Sequence, residues 1–359
     1  MSQHEWRAAD HQAGRRGPVG RPAAHSVDDA LELIARARSH ARRGAVAEAL
    51  VAYDMALGFV DDAPPAPLHA DLLRAKGALL FAIGRTGEAA ELLRASLDVA
   101  QHIRYAPGIA HAQAALSLVQ TRRGDVRLAR QLFDDASMHA AAAGESRLYA
   151  MIERHVGALS AETGDNEDAS QRLRQSLRAF RDAGDAEGLA LTLTAMARLH
   201  ARRGRFAEAR QAVDEAVVYA ARTGDAHLDG AVALVLAEVL VAEGRIGAAA
   251  PVVEQVLAGA ARRGDRVRRA GALRLRAVLD ADRDPSSARA SLDAALSLAT
   301  ASEDALLTAR IRLALGDLAL RSGNVLHART HWTEALAVVR RFGAAHDVDE
   351  IERRLAAPG

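Results

Sequence analysis

The stretch ARLHARRGRFAEARQAVDEA, residues 197–216, decides the fold. Around Gly204 it sets a small residue seven positions before (Ala197), an alanine five after (Ala209), an apolar residue nine after (Val213) and a further alanine at Ala216. On either side of the glycine these residues share one helical face, and glycine takes the left-handed conformation that ends a helix without a Cβ penalty. The stretch therefore reads as helix, turn, helix, with small side chains where the two helices meet.

The same pattern recurs along the chain. Gly44, Gly84, Gly124, Gly164, Gly204 and Gly244 stand 40 residues apart, and Gly323 rejoins the phase after a one-residue deletion near Asp284. A second series, Gly144, Gly184, Gly224, Gly264 and, after the deletion, Gly343, lies midway between them. Five residues after each first-series position comes Ala49, Ala89, Ala129, Ala169, Ala209, Ala249, Ala288 or Ala328. Nine after comes a larger apolar residue, from Tyr53 and Leu93 through to Leu292 and Trp332. Asp125, Asp165, Asp185, Asp225 and Asp265 each follow a turn glycine, where an aspartate caps the next helix. A fixed period of this length marks a repeat array rather than a single globular core.

Small residue, turn glycine, alanine, apolar or aromatic residue, alanine, at these offsets, resembles the tetratricopeptide repeat. The resemblance covers roughly residues 28–343 in eight units, and the 40-residue period resembles the longer-helix variety in bacterial transcriptional regulators and peptide-sensing receptors. It implies an all-α, right-handed α-solenoid in which the first helix of each pair lines a concave groove and the second forms the convex back. Solenoid ends need a polar cap. Residues 344–359 fit that role, with Val348, Ile351 and Leu355 on one face of a helix. Residues 1–27 carry Arg15, Arg16, Gly17, Pro18, Gly20 and Pro22 without an apolar run, and read as a disordered arm rather than a secretory signal. The missing glycine and residue in the seventh repeat, next to Pro285, suggest a soft joint there.

Composition agrees with helices and narrows function. Half the residues are apolar but only 3% are aromatic. The formal charge is +1, so no overall field draws the chain to nucleic acid or to a membrane, and neither is an expected partner. Cysteine is absent, and every apolar run is too short to span a bilayer, so the expected location is the cytoplasm.

No catalytic, cofactor or metal site is expected. The single lysine, Lys76, precedes Gly77 within a helix, which leaves no phosphate-binding loop of the glycine-lysine type. Asp280, Asp282 and Asp284 begin like a calcium loop, but Pro285 and Ser291 stand where that loop needs glycine and glutamate. No nucleophile, acid and base are set at a catalytic spacing.

The expected function is a non-catalytic scaffold that binds a peptide or helix of another protein. The alternative is a sensory or regulatory protein acting through a partner. Carrying the family's five groove positions onto eight repeats gives 40 sites, with ten arginines, roughly twice what 46 arginines in 359 residues would place there by chance. Arg42, Arg122, Arg202 and Arg321 lie two residues before a turn, where a cation suits the helix C-terminal dipole. The remaining six, Arg38, Arg74, Arg154, Arg198, Arg274 and Arg310, are candidates to hold an acidic peptide, with Arg74, Arg154 and Arg198 foremost. Apolar groove positions Phe81, Leu118, Leu191 and Leu234, with Ile34 and Leu313, are candidates to grip an apolar one. The asparagine and lysine of the carboxylate clamp in chaperone-binding members are missing.

Overall fold

The computed structural model describes residues 27–60 and 64–356. The arm expected at the N-terminus lies outside these residues apart from Val27. Helices pair along the chain: α1 (Val27–Arg42) with α2 (Val46–Val60), α3 (Pro67–Ala82) with α4 (Thr86–His102), α5 (Ala106–Arg123) with α6 (Val126–Ala142), and α7 (Ser146–Thr163) with α8 (Asn166–Asp182). The series continues with α9 (Ala186–Arg202) and α10 (Phe206–Thr223), α11 (Ala226–Ala242) and α12 (Ile246–Arg263), α13 (Arg266–Asp280) and α14 (Pro285–Ala301), and α15 (Ala305–Arg321) and α16 (Val325–Phe342). A last helix, α17 (Ala345–Ala356), packs on α16 and buries Ile351. The chain is an all-α solenoid, with no strand among the described residues.

The turn chemistry follows the sequence closely. Every first- and second-series glycine has positive φ, and Arg104 (φ 56°) and Glu303 (φ 54°) take the left-handed conformation at two of the three second-series positions that lack glycine, the third being Pro64. All five aspartates that follow a turn glycine accept a hydrogen bond from a backbone N–H in the first turn of the next helix. The seventh repeat shortens α13 instead: the backbone N–H groups of Arg283 and Asp284 both donate to Asp280 O, and Asp284 caps α14. One buried cluster, including Ala237, Leu275, Leu292 and Leu315, runs unbroken across this turn.

Size complementarity holds each pair together. All eight alanines from Ala49 to Ala328 are fully buried. The large residue of the second helix sits on the small residue of the first. A Cβ added at Gly316 would stand 2.4 Å from Trp332 Nε1, and one at Gly77 would stand 3.0 Å from Leu93 Cγ. These glycines exist for close approach rather than for backbone conformation.

The coil also closes on itself. The turns of the first four repeats abut the starts of α11, α13, α15 and α17, with Gly44 near Ala226, Gly84 near Arg266, Gly124 near Ala305 and Gly164 near Ala345. Thr86 Oγ1 donates to Ser302 O at 2.5 Å across 216 residues, and Arg266 N donates to Ile83 O at 3.0 Å. Gly84 combines both demands on a glycine: φ is +85°, and an added Cβ would lie 2.6 Å from Ser302 Oγ and 3.0 Å from Val267 Cγ2. The groove is thereby walled on its far side by later repeats.

Candidate functional site

Residues of α3, α5, α7, α9, α11, α13 and α15, the first helices of their pairs, line the inside of the coil, among them Glu162, Arg198 and Leu234 at two, six and ten positions before a turn. Two contiguous hollows of about 350 Å³ and 810 Å³ open there and share Glu162, Arg198, Arg202, Asp304 and Leu306. The second is lined by five arginines and six acids, among them Glu238, Asp317, Asp347 and Arg354. Its wall is charge-balanced rather than basic.

Most of its arginines are already engaged. Arg198 Nε donates to Glu238 at 2.8 Å. Arg310 bridges two elements of the coil, donating to Glu162 of α7 at 2.6 Å and to Asp347 of α17 at 2.8 Å. Arg202 completes the chain of charges on Glu162. Burial by itself would raise the Glu162 pKa, but the Arg310 and Arg202 guanidinium groups overrule it and hold the carboxyl at about 2. For Arg310 burial favours loss of the proton, yet Glu162 and Asp347 push its pKa above the ordinary value.

Three of the six candidate arginines stand apart. Arg74, Arg154 and Arg274 occupy one repeat position, ten residues before the turn in the second, fourth and seventh repeats, and each has a buried Nε with no hydrogen-bond partner. Arg74 reaches Asp71 only at 3.5 Å. Arg154 and Arg274 have no carboxylate within ion-pair distance among the described residues. Burial lowers the pKa of Arg154 to about 10 against the pull of Glu187 and Asp185, and lowers that of Arg274 against the pull of Glu238. His155 is held neutral, first by burial and then by Arg154, so its Nε2 accepts from Arg154 Nη2 at 2.8 Å. Arg38 lies exposed against the Tyr53 hydroxyl.

Arg42, Arg122, Arg202 and Arg321 do stand in the last turns of their helices, and three of them also act across repeats. Arg122 Nη1 donates to Phe81 O at 2.6 Å, and Arg202 Nη1 donates to Ala161 O at 3.0 Å. Each thus satisfies the carbonyl end of the preceding repeat's inner helix, where the orphan acceptors are. Arg321 pairs with Asp282 at 2.8 Å. Asp282 is thereby spent on an ion pair and Asp284 on its cap, and no group of three or more metal-ligating side chains occurs among the described residues.

The apolar candidates divide. The Arg122 guanidinium carbon lies over Phe81, 3.5 Å from the ring centroid, and Phe81 lines the smaller hollow with Leu118. Leu191 packs into the core shared by α9, α10 and α11. Leu234 is 7% exposed, and its methyl fills the space over Gly271. Leu191 serves as packing, whereas Leu234 also lines the larger hollow. Asp304, Leu306, Asp347 and Arg354 were not legible as groove residues, because they reach the wall only after the coil has turned back on itself.

No protein-family model and no curated protein matches the sequence. Solved structures do match in shape. A Rap protein complexed with Competence and Sporulation Factor aligns with a TM-score of 0.59 at 10% identity, over 91% of this chain and 97% of that one. The Rap conjugation gene regulator of plasmid pLS20, in complex with the Phr* peptide, gives 0.56 at 15% identity over 97% and 82%. The quorum sensor NprR from B. thuringiensis, in its apo form, gives 0.50 at 14% identity over 86% and 87%. The chain is a tetratricopeptide-like helical solenoid whose fold resembles that of these proteins.

No helix among the described residues is long and apolar enough to cross a membrane.

Proposed function

We propose that the protein is a non-catalytic scaffold whose inner wall binds an extended, carboxylate-bearing peptide or segment of a partner protein. The observation that carries this reading is the row of Arg74, Arg154 and Arg274, three guanidinium groups at one register position, each with a buried donor left unmade. A buried donor without a partner is costly, and a carboxylate is the acceptor whose geometry and charge fit a guanidinium. Arg198 and Arg310 do not share this role, since Glu238, Glu162 and Asp347 already hold them. Two of the structures similar in fold hold a ligand, the Competence and Sporulation Factor in one and the Phr* peptide in the other. A regulatory protein acting through its partner would use the same wall.

The test is fluorescence polarisation with three labelled peptide pools, acidic, apolar and basic, against the full chain. The acidic pool is expected to bind best, and Arg154→Gln with Arg274→Gln is expected to weaken it about tenfold or more. Preference for the apolar pool, or equal binding by the double variant, refutes the reading.

A further inference from the structure

A second concave surface lies outside the groove, on the seam where the coil closes. It is a cleft of about 740 Å³ between the start of α2, the Gly84 turn and the junction of α12 with α13. Arg262, Arg263, Arg266 and Arg269 line it within eight residues of sequence. None of the four has a carboxylate within ion-pair distance among the described residues. The fifth arginine, Arg85, is spent on Glu88. The acids of the cleft do not offset the rest: Asp265 is buried, caps α13 and holds Arg268, and Glu48 is exposed.

The bland reading of an exposed arginine is a solvated surface, and for Arg262 and Arg263, in the last turn of α12, a cation also suits the helix C-terminal dipole. That account fails for Arg266 and Arg269. They stand at the beginning of α13, where the helix dipole disfavours a cation, and neither has an acid within ion-pair distance among the described residues; Glu88, already paired with Arg85, feels Arg266 only from farther off. A local electrostatic rule broken without compensation within the fold points to a use outside it. Arg263 borders the cleft with its stem while its guanidinium packs against α11 and α12. Its stem crosses Gly44, its guanidinium lies beside Gly230 and Gly259, where a Cβ would stand 2.6 Å and 3.1 Å from its Nη atoms, and its buried Nε has no partner. The floor of the cleft is apolar, with Leu50, Ile83 and Leu298.

We propose that this seam cleft binds an oligophosphate anion, either free or carried on a nucleoside. The ligand's charges take the place of the missing carboxylates on Arg262, Arg266 and Arg269. Because the cleft is formed by the first two repeats on one side and by α12 and α13 on the other, the bound anion fastens the closed coil. The site is separate from the peptide wall and does not depend on it.

Isothermal titration of the full chain with inorganic tripolyphosphate, at fixed ionic strength, tests this. One equivalent is expected to bind with a dissociation constant below roughly 100 μM. The exposed pair Arg266→Glu and Arg269→Glu is expected to weaken binding at least ~30-fold, and the single Arg262→Gln at least ~5-fold. Arg178→Glu, on the convex back, leaves it unchanged. Comparison with a nucleoside triphosphate separates the sources: equal affinity assigns the phosphate chain alone, and tighter binding adds a base on the apolar floor. Absence of saturable binding, several weak equivalents, orthophosphate binding as tight as tripolyphosphate, or full retention by the cleft variants overturns the proposal.

Discussion

Replacing Arg310 by methionine keeps most of the apolar stem and removes the charge that joins α7 to α17. In the native protein its guanidinium donates to Glu162 at 2.6 Å and to Asp347 at 2.8 Å and 3.0 Å. Two unit charges 4 Å apart attract by about 4 kcal/mol at an effective dielectric near 20, and desolvation takes back much of that. The net effect is read more directly from Glu162. A carboxyl held at about 2 rather than 4.5 corresponds to about 3 kcal/mol of stability, shared between Arg310 and Arg202. Losing Arg310 therefore removes about half of this and leaves the Asp347 carboxylate, 9% exposed, without its partner, for a total of about 3 kcal/mol. Because the folded pKa is depressed, the contribution is complete above pH 4.5 and is lost as pH falls toward 2. Urea unfolding at pH 7 and at pH 3 measures both effects. The variant is expected to be less stable at pH 7 and to lose less on acidification than the native protein. A deficit under about 0.5 kcal/mol at pH 7, or an unchanged acid limb, would refute the assignment of Arg310 as the tie between the turns of the coil.

The seam separates two otherwise equivalent turns. Gly84→Ala meets Ser302 and Val267 as well as an unfavourable φ, whereas Gly204→Ala meets nothing within 4 Å, so urea melts are expected to show losses of about 3 and about 1 kcal/mol respectively. Arg104→Gly relieves a left-handed arginine and is expected to raise stability by about 0.5 to 1 kcal/mol in the same measurement, and no gain would contradict the strain. Ala209→Leu forces a larger side chain into a fully buried helix contact and is expected to lower the melting temperature through a loss of about 1 to 3 kcal/mol, so an unchanged temperature would refute the packing register.

The helix pairs, their turns and their caps were legible in the sequence, because each is fixed by residues close together in the chain. A glycine supplies a left-handed turn, an aspartate caps the helix after it, and an alanine or glycine faces a leucine or tryptophan across one pair. Two of the exceptions keep the phase: Arg104 and Glu303 adopt the glycine conformation where the ruler lacks its glycine. The charge state of the groove was not legible. Arg198 reads as free until Glu238 is placed beside it, and Arg310 until Glu162 and Asp347 arrive from other repeats. Which guanidinium groups remain unpaired depends on how far the solenoid turns per repeat. That angle accumulates from small packing differences at every interface. The sequence by itself determined a repeat solenoid and the face each helix turns inward. Only the tertiary structure decided that the coil closes, because the contacts across its seam join residues 216 apart that share no local pattern. Closure in turn gathers the arginines of α12 and α13 against the first two repeats, while the Nε of Arg74, Arg154 and Arg274 stays buried without a hydrogen-bond partner.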